Sequence, residues 1–170
     1  MKLPGPFTDN KSINAIIETP RGSRNKFKYD PVLQLFRLGK VLPAGTAFPI
    51  AMGFIPGTEG EDGDPVDVLV IMDAPVYPGC LVECRLLGVI EAEQTEKGKK
   101  KPERNDRLIA IPADTHPLAK IRTIKDLDPD LLDEVISFFR YYNRMEGKRF
   151  EVIGVKGPGK AKKLVKENLQ

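Results

Sequence analysis

Asp62, Asp64 and Asp67 crowd one short stretch, Glu61 to Met72, which reads E-D-G-D-P-V-D-V-L-V-I-M. Carboxylates held that close repel one another unless protons or cations sit between them. An oxygen-only, anionic cluster suits a hard divalent ion, Mg²⁺ above all when a phosphate is the other ligand. Gly63 permits a tight or left-handed backbone, and Pro65 fixes φ and removes a donor. The second half, Val66 to Met72, is apolar and β-branched, which predicts a buried strand entered from an acidic turn. A lone D-x-D is usually a solvated turn. Here the aspartates run straight into a buried strand, and a strand end is a rigid mount for a site.

The elements that must position this stretch are those of a modest chain. With 170 residues there is enough for one domain, over residues 1–170, with a real core. No apolar run is long enough for a membrane span, and the first ten residues lack the apolar core of a signal peptide. Both points predict a cytoplasmic protein with no membrane partner. Cys80 and Cys84 lie four apart, on one face of a strand, and are expected to be a buried, reduced pair. The net charge of +3 is too small to argue for nucleic acid. Its distribution is more telling. Basic residues crowd Arg21 to Lys28 and Lys97 to Lys101, against the acidic run from Glu59 to Asp67.

Ser12 to Thr19 is a strand candidate, and Lys26 to Tyr29 alternates as the returning strand of a hairpin. Leu33 to Leu38 is another strand, and Ala47 to Ile55 is apolar but broken by Pro49 and Gly53. Cys80 to Ile90 is a long strand, bent at Gly88. The polar stretch from Glu91 to Asn105 predicts a long hairpin loop, followed by a strand from Arg107 to Ile111. Leu131, Leu132, Val135, Phe138, Phe139 and Tyr142 recur at helical spacing between Pro129 and Met145, with Gly147 beyond the end. A last strand (Phe150 to Val155) and a short helix (Ala161 to Asn168) complete the chain. Short strands followed by late helices predict a mainly β fold with helices (α+β). The expected form is a small, OB-like barrel with helices packed outside.

Taken in order, these segments resemble the soluble inorganic pyrophosphatases of the single-domain, Mg²⁺-dependent type. That family has a strand ending Glu-Ile-Pro, here Glu18-Thr19-Pro20. Its Lys-Tyr-Glu falls on Lys26-Phe27-Lys28, and its D-G-D-P-x-D is intact from Asp62 to Asp67. Its Asp-x-Lys before a Leu-x-Ala-x-Pro-like strand falls on Asn105-Asp106-Arg107. Its helical F-F-x-x-Tyr-Lys falls on Phe138, Phe139, Tyr142 and Asn143. The resemblance implies a five-stranded barrel with two helices and hydrolysis of diphosphate by a metal-activated water. It also implies a Mg²⁺ (or Mn²⁺) cofactor and a homo-oligomer. Asp62 and Asp67 would bind metal, and Asp64 would deprotonate the attacking water. Glu18, Asn105 and Asp106 join the metal set, and Lys26, Lys40, Arg107 and Tyr142 the substrate set.

The same alignment shows departures. Lys28 replaces a glutamate, Lys40 an arginine, Met52 a tyrosine and Asn143 a lysine. Gln94 and Asn105 each replace a metal-binding aspartate, and Asp106, Glu93 or Glu96 is expected to make up the lost charge. Two other functions compete with diphosphate hydrolysis. One is hydrolysis of a different phosphoanhydride in a reshaped pocket. The other is a non-catalytic barrel that binds polyanions. An acidic face and few aromatics argue against the last.

Overall fold

The computed structural model describes residues 3–8 and 12–170, so the expectation about the first ten residues falls partly outside it. Strand β1 (Ile13–Thr19) is buried along its whole length. Both its edges are occupied, by β4 (Ala51–Phe54) and by β6 (Leu81–Thr95), each antiparallel. β5 (Asp67–Val70) runs antiparallel to β4 and parallel to β8 (Arg107–Pro112), and β8 returns antiparallel to β6. The order β1-β4-β5-β8-β6 therefore closes on itself through the β1–β6 pairing. This closed ring of five strands bears out the OB-like barrel. Closure leaves its members no bare edge. β7 (Glu103–Arg104) and β9 (Arg149–Lys156) pair along β6.

Side chains alternate across the ring, as the strand period requires. One cluster draws on all five ring strands, through Ala15, Ile17, Ala51, Val68, Val70, Val89, Leu108 and Ala110, and is the inside of the barrel. The intervening residues, among them Met52, Leu69, Leu87, Ile109 and Ile111, meet α1 (Pro129–Met145) through Val135, Phe139 and Tyr142. α1 starts where expected because Asp128 caps it, accepting the Asp130 N–H at 3.0 Å, with Pro129 at its first position. α2 (Pro158–Glu167) packs Ala161, Leu164 and Val165 against the inner cluster.

Three expectations need correction. β2 (Asn25–Asp30) is not the partner of β1. It pairs with β3 (Leu35–Val41), because β1 has no edge left to offer. The β1 side chains serve instead: Thr19 Oγ1 accepts the Phe27 N–H at 3.1 Å, and a Glu18 carboxylate oxygen accepts the Tyr29 N–H at 2.7 Å. Second, the long polar loop shrinks to residues 96–102, since Glu91 to Thr95 continue β6 and find partners on β7 and β9. Third, Cys80 is exposed while Cys84 is buried. Cys80 sits in a turn, its N–H bonded to the Tyr77 carbonyl at 3.1 Å after Gly79 at φ +89°, before β6 begins.

β1 and β4 approach so closely at Gly53 that an added Cβ would collide with the Ile16 carbonyl. We expect Gly53→Ala to lower the unfolding free energy by about 3 kcal/mol, since backbone must move to admit it. Urea denaturation of the two proteins checks this; equal midpoints would mean the ring opens here without strain.

Candidate active site

The parallel register of β5 and β8 pairs Val68 with Leu108. It thereby brings Asp67 and Arg107, the residues just before them, to the same end and the same face of the ring. That face looks toward α1. The Arg107 side chain is only 6% exposed, and its guanidinium lies 5.3 Å from the Phe139 ring centre and 5.8 Å from that of Phe150. A cation so placed needs a counter-charge, and Arg107 Nη1 is paired with Asp67 Oδ2 and donates to Asn105 Oδ1. Its Nε is buried with no partner among the described residues.

The acidic turn shapes itself. Asp62 Oδ1 accepts the Asp64 N–H at 3.1 Å, and Gly63, at φ +80°, donates its N–H to the Gly60 carbonyl. The turn is anchored by Thr58, whose hydroxyl accepts the Val66 N–H at 3.0 Å. Burial pushes the Asp62 carboxyl above the usual carboxylate range. The charges of Asp67 and Asp64 push the same way, against the Asp64 N–H and Arg107. Asp64 faces the β2–β3 hairpin, where Lys28 Nζ reaches its Oδ2 at 2.7 Å. Partial burial works against the Lys28 charge. The bond to Asp64 and the charges of Asp64, Glu18 and Asp67 outweigh it and raise the ammonium above its usual range.

Glu18, on β1, is 8% exposed, and its carboxyl is pushed up to about 7. Burial is the main cause, with Asp67 adding to it; the Tyr29 N–H, Lys26 and Lys28 oppose it. Lys26 and Lys40 face each other across the hairpin, and their ammonium groups lie 5.3 and 5.4 Å from the Tyr142 ring centre. Tyr142 is 7% exposed, so it is both core and wall of the site.

The remaining candidates form a polar chain. Asn105 Nδ2 donates to Gln94 Oε1 at 3.0 Å, and Gln94 Nε2 donates to Glu96 Oε1 at 2.6 Å. Glu96 then pairs with Lys148 at 3.1 Å. Asp106 is fastened on both sides: Oδ1 accepts the Ala92 N–H at 2.9 Å, and Oδ2 meets Arg104 at 2.9 Å. A cleft of about 190 Å³ between the acidic turn and α2 is lined by Asp62, Asp67, Asn105 and Asp106, with Lys160 at its edge. Asp64, Glu18, Lys26, Glu93 and Glu96 do not line it. Among the described residues no trio of His, Cys, Asp and Glu is drawn tightly enough together to hold a metal ion as it stands. Lys28 and Arg107 occupy two of the carboxylates instead. The contact of Lys28 with Asp64 and the α2 wall of the cleft were not foreseen. The exchange of a carboxylate for a cation beside an acidic motif was the signal for the first.

A barrel ring with an acidic turn on its outer face, flanked by lysines and a buried arginine, has the charge pattern that suits a phosphorylated anion with its counter-cations. The family model described as inorganic pyrophosphatase matches residues 15–170. An inorganic pyrophosphatase of Synechocystis is 37% identical over 155 residues, covering 91% of this chain and 88% of that protein. One from Geobacillus stearothermophilus is 35% identical, covering 94% and 93%. The crystal structure of inorganic pyrophosphatase from Thermus thermophilus superposes with a TM-score of 0.87 at 34% identity, covering 97% of this chain and 93% of that one. The chain belongs to the inorganic pyrophosphatase family.

The raised Glu18 carboxyl has a thermodynamic consequence. Its folded pKa of about 7 exceeds the ordinary value of 4.5, so the folded state binds more protons between those limits. Stability should therefore fall as pH rises from about 4.5 to about 7, and level off above. We expect Glu18→Gln, measured with chelator present, to remove this slope. At pH 8 it should stabilise the protein by about 3 kcal/mol, and near pH 4 by nothing. Denaturant melts across that range are the check.

Proposed function

We propose that this chain hydrolyses inorganic diphosphate to two phosphates with Mg²⁺ as cofactor, acting as one domain over residues 1–170. The observation that carries the proposal is the ordered meeting of Asp62, Asp64 and Asp67 with Lys28 and Arg107 on one face of the ring. The oxygen-only donors around the cleft, Asp62, Asp67, Asn105 and Asp106, fit a hard dication in their chemistry. A bound Mg²⁺ supplies neutralisation of the diphosphate charge and acidification of the attacking water.

The chain's own residues do the rest. Asp62 and Asp67 would hold the cation, and Glu18 faces the same charges from β1. Asp64 takes the proton of the water at a carboxylate oxygen, which requires that Lys28 yield it. Arg107 is fixed by Phe139 and Asp67 with its Nε unpaired, a donor pre-aimed by packing and in want of an acceptor. Lys26 and Lys40, placed over Tyr142, hold the departing phosphate's oxygens and offset the charge that develops there. Excess positive charge on the hairpin and excess negative charge on the turn suit an anion that arrives with its metal.

No helix among the described residues is long and apolar enough to cross a membrane. Cytoplasmic residence belongs to the same proposal, as does a homo-oligomer. The exposed Val32, Leu33, Leu35 and Leu38 on and beside β3 offer apolar surface for the latter.

Phosphate release from diphosphate across a Mg²⁺ titration tests the function. Asp64→Asn keeps the size and loses the base, so turnover should drop by about 10²–10⁴-fold with the fold intact. Asp67→Asn should instead raise the Mg²⁺ requirement and free Arg107. Release from nucleoside triphosphates but not diphosphate would favour the second phosphoanhydride reading.

A further inference from the structure

Among the described residues, Lys28 is the one cation of the site that is both paired to a carboxylate of the acidic turn and open to solvent. Its ammonium sits 2.7 Å from Asp64 Oδ2, with the two side chains 54% and 55% exposed. The Arg107–Asp67 pair is different: the arginine is 6% exposed and clamped under Phe139 and Phe150. A buried pair of that kind is permanent, because parting it strands a charge. A half-exposed lysine pair is weak and exchangeable. Lys28 sits on β2, outside the ring, and its position is set by the Glu18 and Thr19 clamps on Tyr29 and Phe27.

We propose that Lys28 is a tethered counter-cation that opposes a divalent ion at the acidic turn by neutralising Asp64, and so makes tight metal binding depend on the arrival of the phosphorylated anion. The proposal rests on the metal-assisted reading of the site. An ammonium at hydrogen-bond distance from Asp64 cancels part of the negative charge that would otherwise draw a dication to the turn. In the free protein the lysine satisfies Asp64 and repels a second cation. When diphosphate enters, its oxygens offer Lys28 a better charged acceptor than one aspartate, and the Asp64 charge then adds to the field of Asp62 and Asp67 that draws the cation. The same displacement frees Asp64 to accept a proton. Lys28 is thus a positioning residue: it acts through Asp64. It also gives the loss of a carboxylate at this position a function, since a cation here replaces part of the metal charge.

The test is Mn²⁺ binding, followed by the electron spin resonance of the free ion, on the whole chain without diphosphate. Lys28→Met should tighten Mn²⁺ binding by about tenfold, the effect of removing a unit charge a few ångströms from a dication. Lys28→Glu should tighten it further. Arg37→Met, which removes a cation paired to Asp30 on the same hairpin, should change it less than about twofold. Adding Asp64→Asn to Lys28→Met should erase the gain. Non-hydrolysable methylenediphosphonate should tighten Mn²⁺ binding more in the parent than in Lys28→Met. Equal Mn²⁺ affinity in the parent and both Lys28 variants overturns the proposal, and so does an equal gain from Arg37→Met, which would reduce the effect to net charge. Phosphate release is scored separately. Tightening without hydrolysis sustains the opposition and rejects the pyrophosphatase reading; hydrolysis without tightening does the reverse.

Discussion

A guanidinium taken out of water is costly, and Arg107 is buried to 5% exposure at the seam between ring and helix. What makes it tolerable is a set of partners that no local segment could supply. Asp67 comes from β5, Asn105 from the turn before β8, and the rings of Phe139 and Phe150 from α1 and β9. Each of those must be in place for the charge to be met. One side chain therefore holds in register the acidic turn, the parallel strand pair and the helix that walls the site.

The amides at positions 94 and 105 make sense as a unit. Aspartates at both places would face each other across the gap that Asn105 Nδ2 and Gln94 Oε1 now bridge at 3.0 Å. Without metal they would repel, whereas two amides satisfy one another. The chain of contacts then runs on through Glu96, Lys148 and Glu146 to Lys40, beside Tyr142. The far end of the site is thus tied to Arg107 through two neutral amides and then a run of ion pairs. Lys40 is held by Glu146 at the C-terminal cap of α1, so its placement depends on where that helix stops.

Much of this was legible in the sequence, for definite reasons. α1 was readable to the residue because its apolar period, its Asp128 cap and Gly147 all agree. β5 was readable because Val66 to Met72 is short, β-branched and preceded by Pro65, although only Asp67–Val70 is strand. The barrel followed from the number of short strands, and the acidic site from three aspartates too close to be indifferent. β2 was misplaced because local alternation does not reveal that both edges of β1 are spoken for. The end of β6 was missed because Glu91, Glu93 and Gln94 look like loop, while their partners on β7 and β9 are distant in sequence. The Lys28–Asp64 contact is likewise a product of tertiary pairing across a hairpin that the residues alone do not orient.

The ring closes through β1 and β6, the pairing of Ile13 with Cys84, across most of the first half of the chain. Bringing such distant segments together is slow, because chain entropy is lost before contacts compensate for it. Asp67 and Arg107 come side by side only when β5 and β8 pair in parallel, a contact between strands far apart in the chain. The charged face is therefore a product of long-range pairing and not of any local segment. Until β5 and β8 meet, Asp67 and Arg107 are separate, hydrated charges.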